Sequence, residues 1–392
     1  MKRLGNIYGQ LVSMDTMTKA VYEAIRFKRS DPMVIKKLMT DGEIDPMKVH
    51  IFAERIVHNL RSGTYQFDAP LHKRLYCASK SKAYGKGKWR DIYCPSLKDH
   101  VLHHALMIVS MPAFTRGMDD HCCGSVPGRG TIKVHDYVEW WVRSKDTNFF
   151  VKLDIKHFFD TIQPKLLLDC LRRHIKDEQV IDLFRGVIKS SPMACPVGYY
   201  TSPWLANLFL EDLDHFVKQE LFKERRGKRI PYVSHYVRYM DDMLLMGNSK
   251  RDLEKAVRAI IAFCQGKGLE IKTCWEIKRI AILDDGKVRK GTYRIDICGY
   301  VFDPECTRVR DGIYLSTMRL ARKIHRDARA NDGYMSLADC QGIMSKVGWA
   351  EHANSAGMLK RIDDLVNLDD ARGVISNAAK CGVFHQTRKI RI

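Results

Sequence analysis

Residues 237–247 read VRYMDDMLLMG, and the fold turns on them. Two apolar runs of strand length flank the adjacent carboxylates Asp241 and Asp242, which predicts a hairpin carrying both acids at its tip. Taken alone, a pair of aspartates reads as a polar turn. These flanks are too apolar for an ordinary solvent loop, and two like charges held together raise the local energy until something positive arrives. A third acid, Asp154, ends a second buried-strand run, FFVKLD at 149–154. If the two strands are neighbours in one sheet, the three carboxylates converge. Hard oxygen donors without Cys or His suit Mg²⁺, which keeps waters and takes phosphate oxygens as its remaining ligands. Two such ions roughly 3.5–4 Å apart would activate a 3′-hydroxyl and stabilise a leaving pyrophosphate in an in-line displacement.

The composition around these strands is globular and basic. Of 392 residues, 45% are hydrophobic and 29% charged, enough to bury a sizeable core and too apolar for a disordered polycation. Sixty-six Lys and Arg against 46 Asp and Glu leave a net charge of +20, which favours a polyanionic partner, nucleic acid first. The 12 Cys are scattered without a CxxC pair, so neither a zinc ribbon nor a disulfide scaffold fits. No N-terminal apolar region and no long apolar run appear, which predicts no membrane association and a reducing cytoplasm.

Outward from the hairpin, an α+β block alternates with helices. Residues 1–62 read as a helical extension, with a helix start at Asp31-Pro32 and Val49, Phe52, Ile56 and Leu60 at helical spacing. KSKAYGKGKWR at 80–90 is a Gly-punctuated basic loop that either carries phosphates or forms a solvated hairpin. Leu97 to Met111 predicts a helix whose His100, His103 and His104 stand at i, i+3 and i+4; lacking a thiol or carboxylate partner, they read as packing or phosphate contacts before metal ligands. GSVPGRGT at 124–131 lacks the spacing of a phosphate-binding loop. One long helix is predicted from Ser202 to Leu221, another from Ser249 to Gly266, and strands near 269–282 and 292–302. After Asp311 the pattern is helical and basic.

Three stretches then resemble a known family. VKLDIKHFFDTI (151–162), PVGYYTSPWLANLFL (196–210) and YMDD (239–242) resemble motifs A, B and C of reverse transcriptases, in the family's order, with Asp154 and Asp241 87 residues apart. GKWRDIYCP (87–95) resembles the fingers nucleotide-binding motif, GLEIKTCWEI (268–277) motif D and CGYVF (298–302) motif E. The resemblance implies a right-hand polymerase of α+β class. Its divisions would be an N-terminal extension at 1–62, fingers at 63–148, an antiparallel palm at 149–305 with a helical insertion about 163–192, and a basic helical thumb with tail at 306–392.

Carried over residue by residue, the resemblance implies catalytic Asp154, Asp241 and Asp242, with the Ile155 carbonyl as a further metal ligand. Phe159 falls at the position that excludes the ribose 2′-hydroxyl, leaving Phe158 to the core. Arg90 and Lys88 would neutralise the triphosphate, Val197 and Gly198 would border the nucleotide, and Lys272 would protonate pyrophosphate. Lys80, Lys82 and Lys86 on the basic loop, and Arg319, Arg322, Lys323 and Arg326 on one helical segment, are the expected nucleic-acid contacts. Mg²⁺, with Mn²⁺ as substitute, and dNTPs are the implied cofactor and substrates; the implied partners are an RNA template, foremost a structured noncoding RNA, and a DNA product. An accessory protein or a homo-oligomer is compatible with this reading.

One departure shapes the biological expectation. Pro196-Val197-Gly198 sets an apolar residue where many retroviral, intron and retron enzymes carry Gln, as diversity-generating retroelement enzymes do, whereas Ser202-Pro203 matches intron and retron enzymes. Unassigned bacterial groups, several of them antiviral, accommodate both, so phage defence is expected first and a diversity-generating or intron-derived role second. A protein-primed or template-independent polymerase, and a catalytically silent RNA-binding scaffold, are the rival readings. About 90 residues follow the motif E match, enough for a thumb but not for a thumb and an RNase H domain.

Overall fold

A computed structural model describes residues 3–77, 87–331 and 333–380, and for Lys88 the backbone alone. The described residues of 1–79, 84–130 and 151–277 form one compact unit, and those of 131–150 and 278–392 a second.

The first unit opens with helices whose starts the sequence encodes. Ser13 caps helix Met14–Ile25 by accepting from the Thr16 amide, while Asp31 and Asp45 cap Pro32–Leu38 and Pro46–Arg61, each with Pro at the first turn. Met14–Ile25 packs between Pro46–Arg61 and Leu97–Thr115. Leu97–Thr115 is buried nearly all round, which is why all three of its histidines lie in the core. Between these helices, strands Leu71–Cys77 and Lys88–Cys94 pair antiparallel.

A four-stranded sheet carries the acids. Strand Phe149–Asp154 neighbours Asp242–Gly247, which pairs antiparallel with His235–Tyr239 in the register Tyr239 to Asp242. Val237 and Met243 to Met246 are fully buried, which explains the continuous apolar run where a half-exposed strand would alternate. Helix Lys250–Gly266, capped by Ser249, packs behind Asp242–Gly247. A four-stranded sheet backed by a helix agrees with the expected α+β class.

Two expectations need correction. The single helix over 202–221 is broken into Ser202–Phe209, Glu211–His215 and a wider π turn, Phe216–Glu220. Long-range polar bonds accompany the break: Asp214 turns in to Arg238, and His215 Nε2 lies 2.8 Å from the Gly117 carbonyl. Periodicity does not register such demands. Residues 269–277 are not a strand; there Ile271 makes a lone bridge with Ile155, and strands begin only at Lys278–Arg279. The basic run KERRGKR at 223–229 lies in an exposed hairpin, Phe222–Arg225 with Lys228–Pro231, turned by Arg226 and Gly227 at positive φ.

In the second unit, Ile295–Ile297, Tyr300–Phe302 and Thr307–Val309 form an antiparallel meander. Helix Thr131–Trp141 presses His135 onto Tyr300 and Phe302. Helices Asp311–Arg329, Leu337–Glu351, Ala356–Asp363 and Leu368–Lys380 close over a core that includes Met318, Ile324, Ile343, Val347 and Ile362. Residues 131–148 and 278–305 thus pack with the C-terminal helices. Among the described residues, no helix is long and apolar enough to cross a membrane.

Candidate active site

Asp154 ends its strand, and Asp241 sits in the two-residue turn between Tyr239 and Asp242. Burial pushes the Asp241 carboxyl above its ordinary value, and the charges of Asp154 and Asp242 push the same way. The adjacency of the two strands therefore brings all three acids within electrostatic reach. Lys272 Nζ lies 2.6 Å from Asp154 Oδ1, an atom shut off from solvent. Burial works to lower Lys272, but its bond to Asp154 and the three carboxylate charges outweigh that and hold the ammonium above its ordinary value.

Among the described residues no three His, Cys, Asp or Glu side chains form a ready-made cation shell. The donors still fit a divalent ion of the Mg²⁺ kind. They are carboxylates that repel one another, and this cation completes its octahedron with waters and substrate phosphates and needs no all-protein cage. The Ile155 carbonyl is suitably disposed: the bonds flanking its bridge run from Lys156 N to Glu270 O and from Lys272 N to Asp154 O. That pattern leaves the Ile155 carbonyl facing away from Ile271.

The turn itself is held from below by residues the sequence reading missed. Met240 adopts φ 57°, a left-handed conformation costly for a side chain of its size. Its carbonyl accepts 3.0 Å from Nη1 of Arg238, whose side chain is 1% exposed. Arg238 also makes a bidentate pair with Asp214 (2.7 and 2.6 Å) and donates to Asn207 Oδ1 (3.0 Å). Tyr236 donates to Asp214, and Asn207 donates to the Gly124 carbonyl. A Cβ on Gly124 would come 2.4 Å from the Met240 nitrogen, so only glycine lets this loop pass under the turn. The backbone at His121–Cys123 pairs with Arg238, and the Cys122 thiol, pushed up to about 11 by burial, lies 3.2 Å from Nη2 of Arg238. Cys122 and Cys123 thus lie in the core, while the His121 ring is held by Asp119 and Lys218. The available signal was an Arg inside an apolar strand, which cannot lie there without a paired acid.

The nucleotide-side candidates are placed as follows. After His157, at φ 49°, Phe158 turns into the core and Phe159 remains partly exposed, their ring centroids 5.4 Å apart. The Val197 carbonyl accepts from the Tyr93 amide at 2.8 Å, while the Val197 side chain is 39% exposed. Gly198 has φ 111°, and a Cβ there would lie 2.4 Å from the Tyr93 carbonyl; motif B therefore docks by its backbone onto strand Lys88–Cys94. On that strand Arg90 is exposed, alternating with Asp91, which pairs with His72 and Arg74.

Of the expected nucleic-acid contacts, Lys80, Lys82 and Lys86 lie outside the described residues. Arg319, Arg322, Lys323 and Arg326 are exposed on helix Asp311–Arg329, opposite its buried Met318, Ala321 and Ile324. Asp327 partly offsets them, 3.0 Å from Lys323 and 3.4 Å from Arg326. His103 is fully buried against Tyr199, and His104 stacks on Tyr200 at 3.7 Å.

Residues 78–274 match the family model described as reverse transcriptase (RNA-dependent DNA polymerase). Among similar proteins are the group II intron-encoded protein LtrA of Lactococcus lactis subsp. cremoris, 28% identical over 42% of this chain. Protein YkfC of Escherichia coli K12 is 22% identical over 59% of this chain and 68% of its own length. The retron Ec73 reverse transcriptase of Escherichia coli is 25% identical over 42% of this chain and 51% of its own. The chain spans only 28% of the length of LtrA. With the matched stretch taking in half the chain and both acid-bearing strands, this chain belongs to the reverse transcriptase family.

Proposed function

We propose that the protein is an RNA-directed DNA polymerase working in the cytoplasm, with dNTPs as substrates and Mg²⁺, or Mn²⁺ in its place, as cofactor. The observation that carries the reading is the convergence of Asp154, Asp241 and Asp242 at the ends of adjacent strands, with Asp241 raised by burial and by its neighbours' charge. Divalent ions bound there would supply an activated 3′-hydroxyl and offset charge on the departing pyrophosphate. Asp154, Asp241, Asp242 and the Ile155 carbonyl would hold them. Lys272 keeps its proton firmly beside Asp154 and serves as the donor to the leaving pyrophosphate. Phe159 would exclude a 2′-hydroxyl, Val197 and Gly198, docked on Tyr93, would border the nucleotide, and Arg90 would meet the triphosphate, joined by Lys88, whose side chain lies outside the described residues.

The fingers would then comprise the hairpin Leu71–Cys77 with Lys88–Cys94 and its supporting helices, the palm the acid-bearing sheet, and the thumb the basic C-terminal helices. Its template would be a structured noncoding RNA and its setting phage defence. An intron-derived role is the second reading, favoured by the likeness to LtrA. Asp241→Asn tests the site: dNTP incorporation on an RNA template with Mg²⁺ should vanish while the melting temperature holds, because a ligand is lost without opening a cavity. Near-normal incorporation would sink the assignment.

A further inference from the structure

Helix Pro46–Arg61 presents two distinct stripes. Val49, Ala53, Ile56, Val57 and Leu60 are buried. The neighbouring stripe, Lys48, Phe52 and Arg55, lines a groove of about 490 Å³ that Lys36 and Lys37 border, together with Tyr65 and Lys98. Five cations thus face one concavity, and among the described residues no carboxylate lines it. Two of the ammonium groups are tethered, Lys48 to the Met39 carbonyl at 2.7 Å and Lys98 to the Gln66 carbonyl at 2.8 Å. Asp68 lies 2.9 Å from Lys98, and its charge also reaches Lys37. Lysines that merely keep a surface soluble spread apart, since converging like charges cost energy unless an anion joins them.

The groove also offers aromatic faces. Phe52 is half-buried with Lys37 Nζ 5.8 Å from its centroid, and Tyr65 has Lys98 Nζ 5.5 Å from its own. Cations beside ring faces in one channel match a nucleic-acid single strand, whose phosphates take the charge and whose unstacked bases lie on the rings. Ring stacking disfavours a duplex, whose bases are already stacked.

We propose that this groove binds a single-stranded RNA segment, apart from the catalytic carboxylates, through Lys36, Lys37 and Arg55, with Phe52 as a base platform. The proposal rests on the reading of the protein as an RNA-handling polymerase, and the two can fail separately. The probe is a fluorescent single-stranded RNA with no complement to the primer, titrated over a range of salt concentrations. Lys36, Lys37 and Arg55 are exposed, and alanine preserves the helices that carry them. Their triple alanine variant should bind more weakly, with the log–log salt slope flattened by about two units, from a factor near 0.7 per lost contact. Phe52→Leu should weaken binding roughly fivefold or more at unchanged slope. Incorporation from a saturating short primer–template should match wild type in both. An unchanged slope in the triple variant overturns the proposal and marks the groove as a face for an acidic protein. Equal weakening towards double-stranded RNA overturns the single-strand assignment. Groove-dependent RNA binding by a protein that incorporates no dNTP would refute the polymerase reading and uphold the groove.

Discussion

Arg238→Met separates what the buried network does for stability from what it does for catalysis. Methionine fills similar length without charge, leaving the Asp214 carboxylate, also 1% exposed, with the Tyr236 hydroxyl as its remaining donor in the network. Breaking one side of a buried pair costs about 3–5 kcal/mol. At roughly 2–4 °C per kcal/mol for a unit of this size, melting should fall by about 6–20 °C. The triple variant Arg238→Met, Asp214→Leu, Tyr236→Phe removes both charges and the stranded hydroxyl. It should recover stability to within about 2 kcal/mol, the remainder being the unpaired Asn207 amide oxygen and Met240 carbonyl. Activity should not follow. The Met240 carbonyl still lacks its donor, and a left-handed turn costing about 1–3 kcal/mol is free to relax. Displacement of Asp241 on the order of 1 Å is worth about 100-fold in rate. Denaturant melts and single-turnover incorporation, run on all three proteins, read the two effects. Incorporation restored to within a few-fold of wild type in the triple variant would refute the positioning argument and leave the network a fold element only.

Phe159→Ala should admit ribonucleotides, read as rNTP against dNTP competition; unchanged discrimination with reduced stability would return Phe159 to the core. Val197→Gln should lower misincorporation, since an apolar floor leaves selection to shape differences worth roughly 1–3 kcal/mol, and product sequencing on a defined template decides it. Replacing Arg322, Lys323 and Arg326 by Ala should flatten the salt slope of RNA binding by about two to three units for any sequence; an identical slope would show that this helix face stays in solvent. Burial lowers His100 and His103 to about 3 and His104 to about 4, so all three are neutral in the folded protein at pH 6. The unfolded chain binds these protons near pH 6.5, so stability is full above that value and falls as pH drops towards about 4. Between pH 7 and 5.5 each histidine should cost about 1 kcal/mol, and denaturant titrations of His103→Phe should show a pH dependence shallower by that amount.

The parts legible in the sequence were those governed by local rules. Strand-length apolar runs around Asp241 and Asp154 could be read because fully buried strands do not alternate, and Asp31 with Pro32 marks a helix start by the geometry of the first turn. Choosing Phe159 over Phe158 for the exposed side needed the family register, since two adjacent rings carry no periodicity of their own. What stayed hidden was long-range polar satisfaction. Arg238 binds an acid 24 residues away and sits under a loop whose Gly124 is bonded to Asn207, 83 residues distant. Nothing local distinguishes Asn207 within an apolar helix from a tolerated polar residue, and Asp214 reads as a solvent-facing acid of an amphipathic helix. The same bonds explain why the helix expected over 202–221 breaks.

That hidden network also explains why three weak sequence signals belong together. The loop at 124–131, too loosely spaced to be a phosphate cradle, supplies through Gly124 the clearance that lets Met240 take its left-handed turn. Asn207, from the helix within motif B, joins that loop to Arg238, and Arg238 joins both to the turn that carries Asp241. A carboxylate raised by burial and by its neighbours' repulsion would turn away if its backbone were loose. The buried charges that fix it cost desolvation, which hydrogen bonds on every side of Arg238 offset. Converging acids on this sheet therefore require a polar core beneath them. The apolar strands that first betrayed the hairpin and the single arginine interrupting them are two sides of one physical requirement.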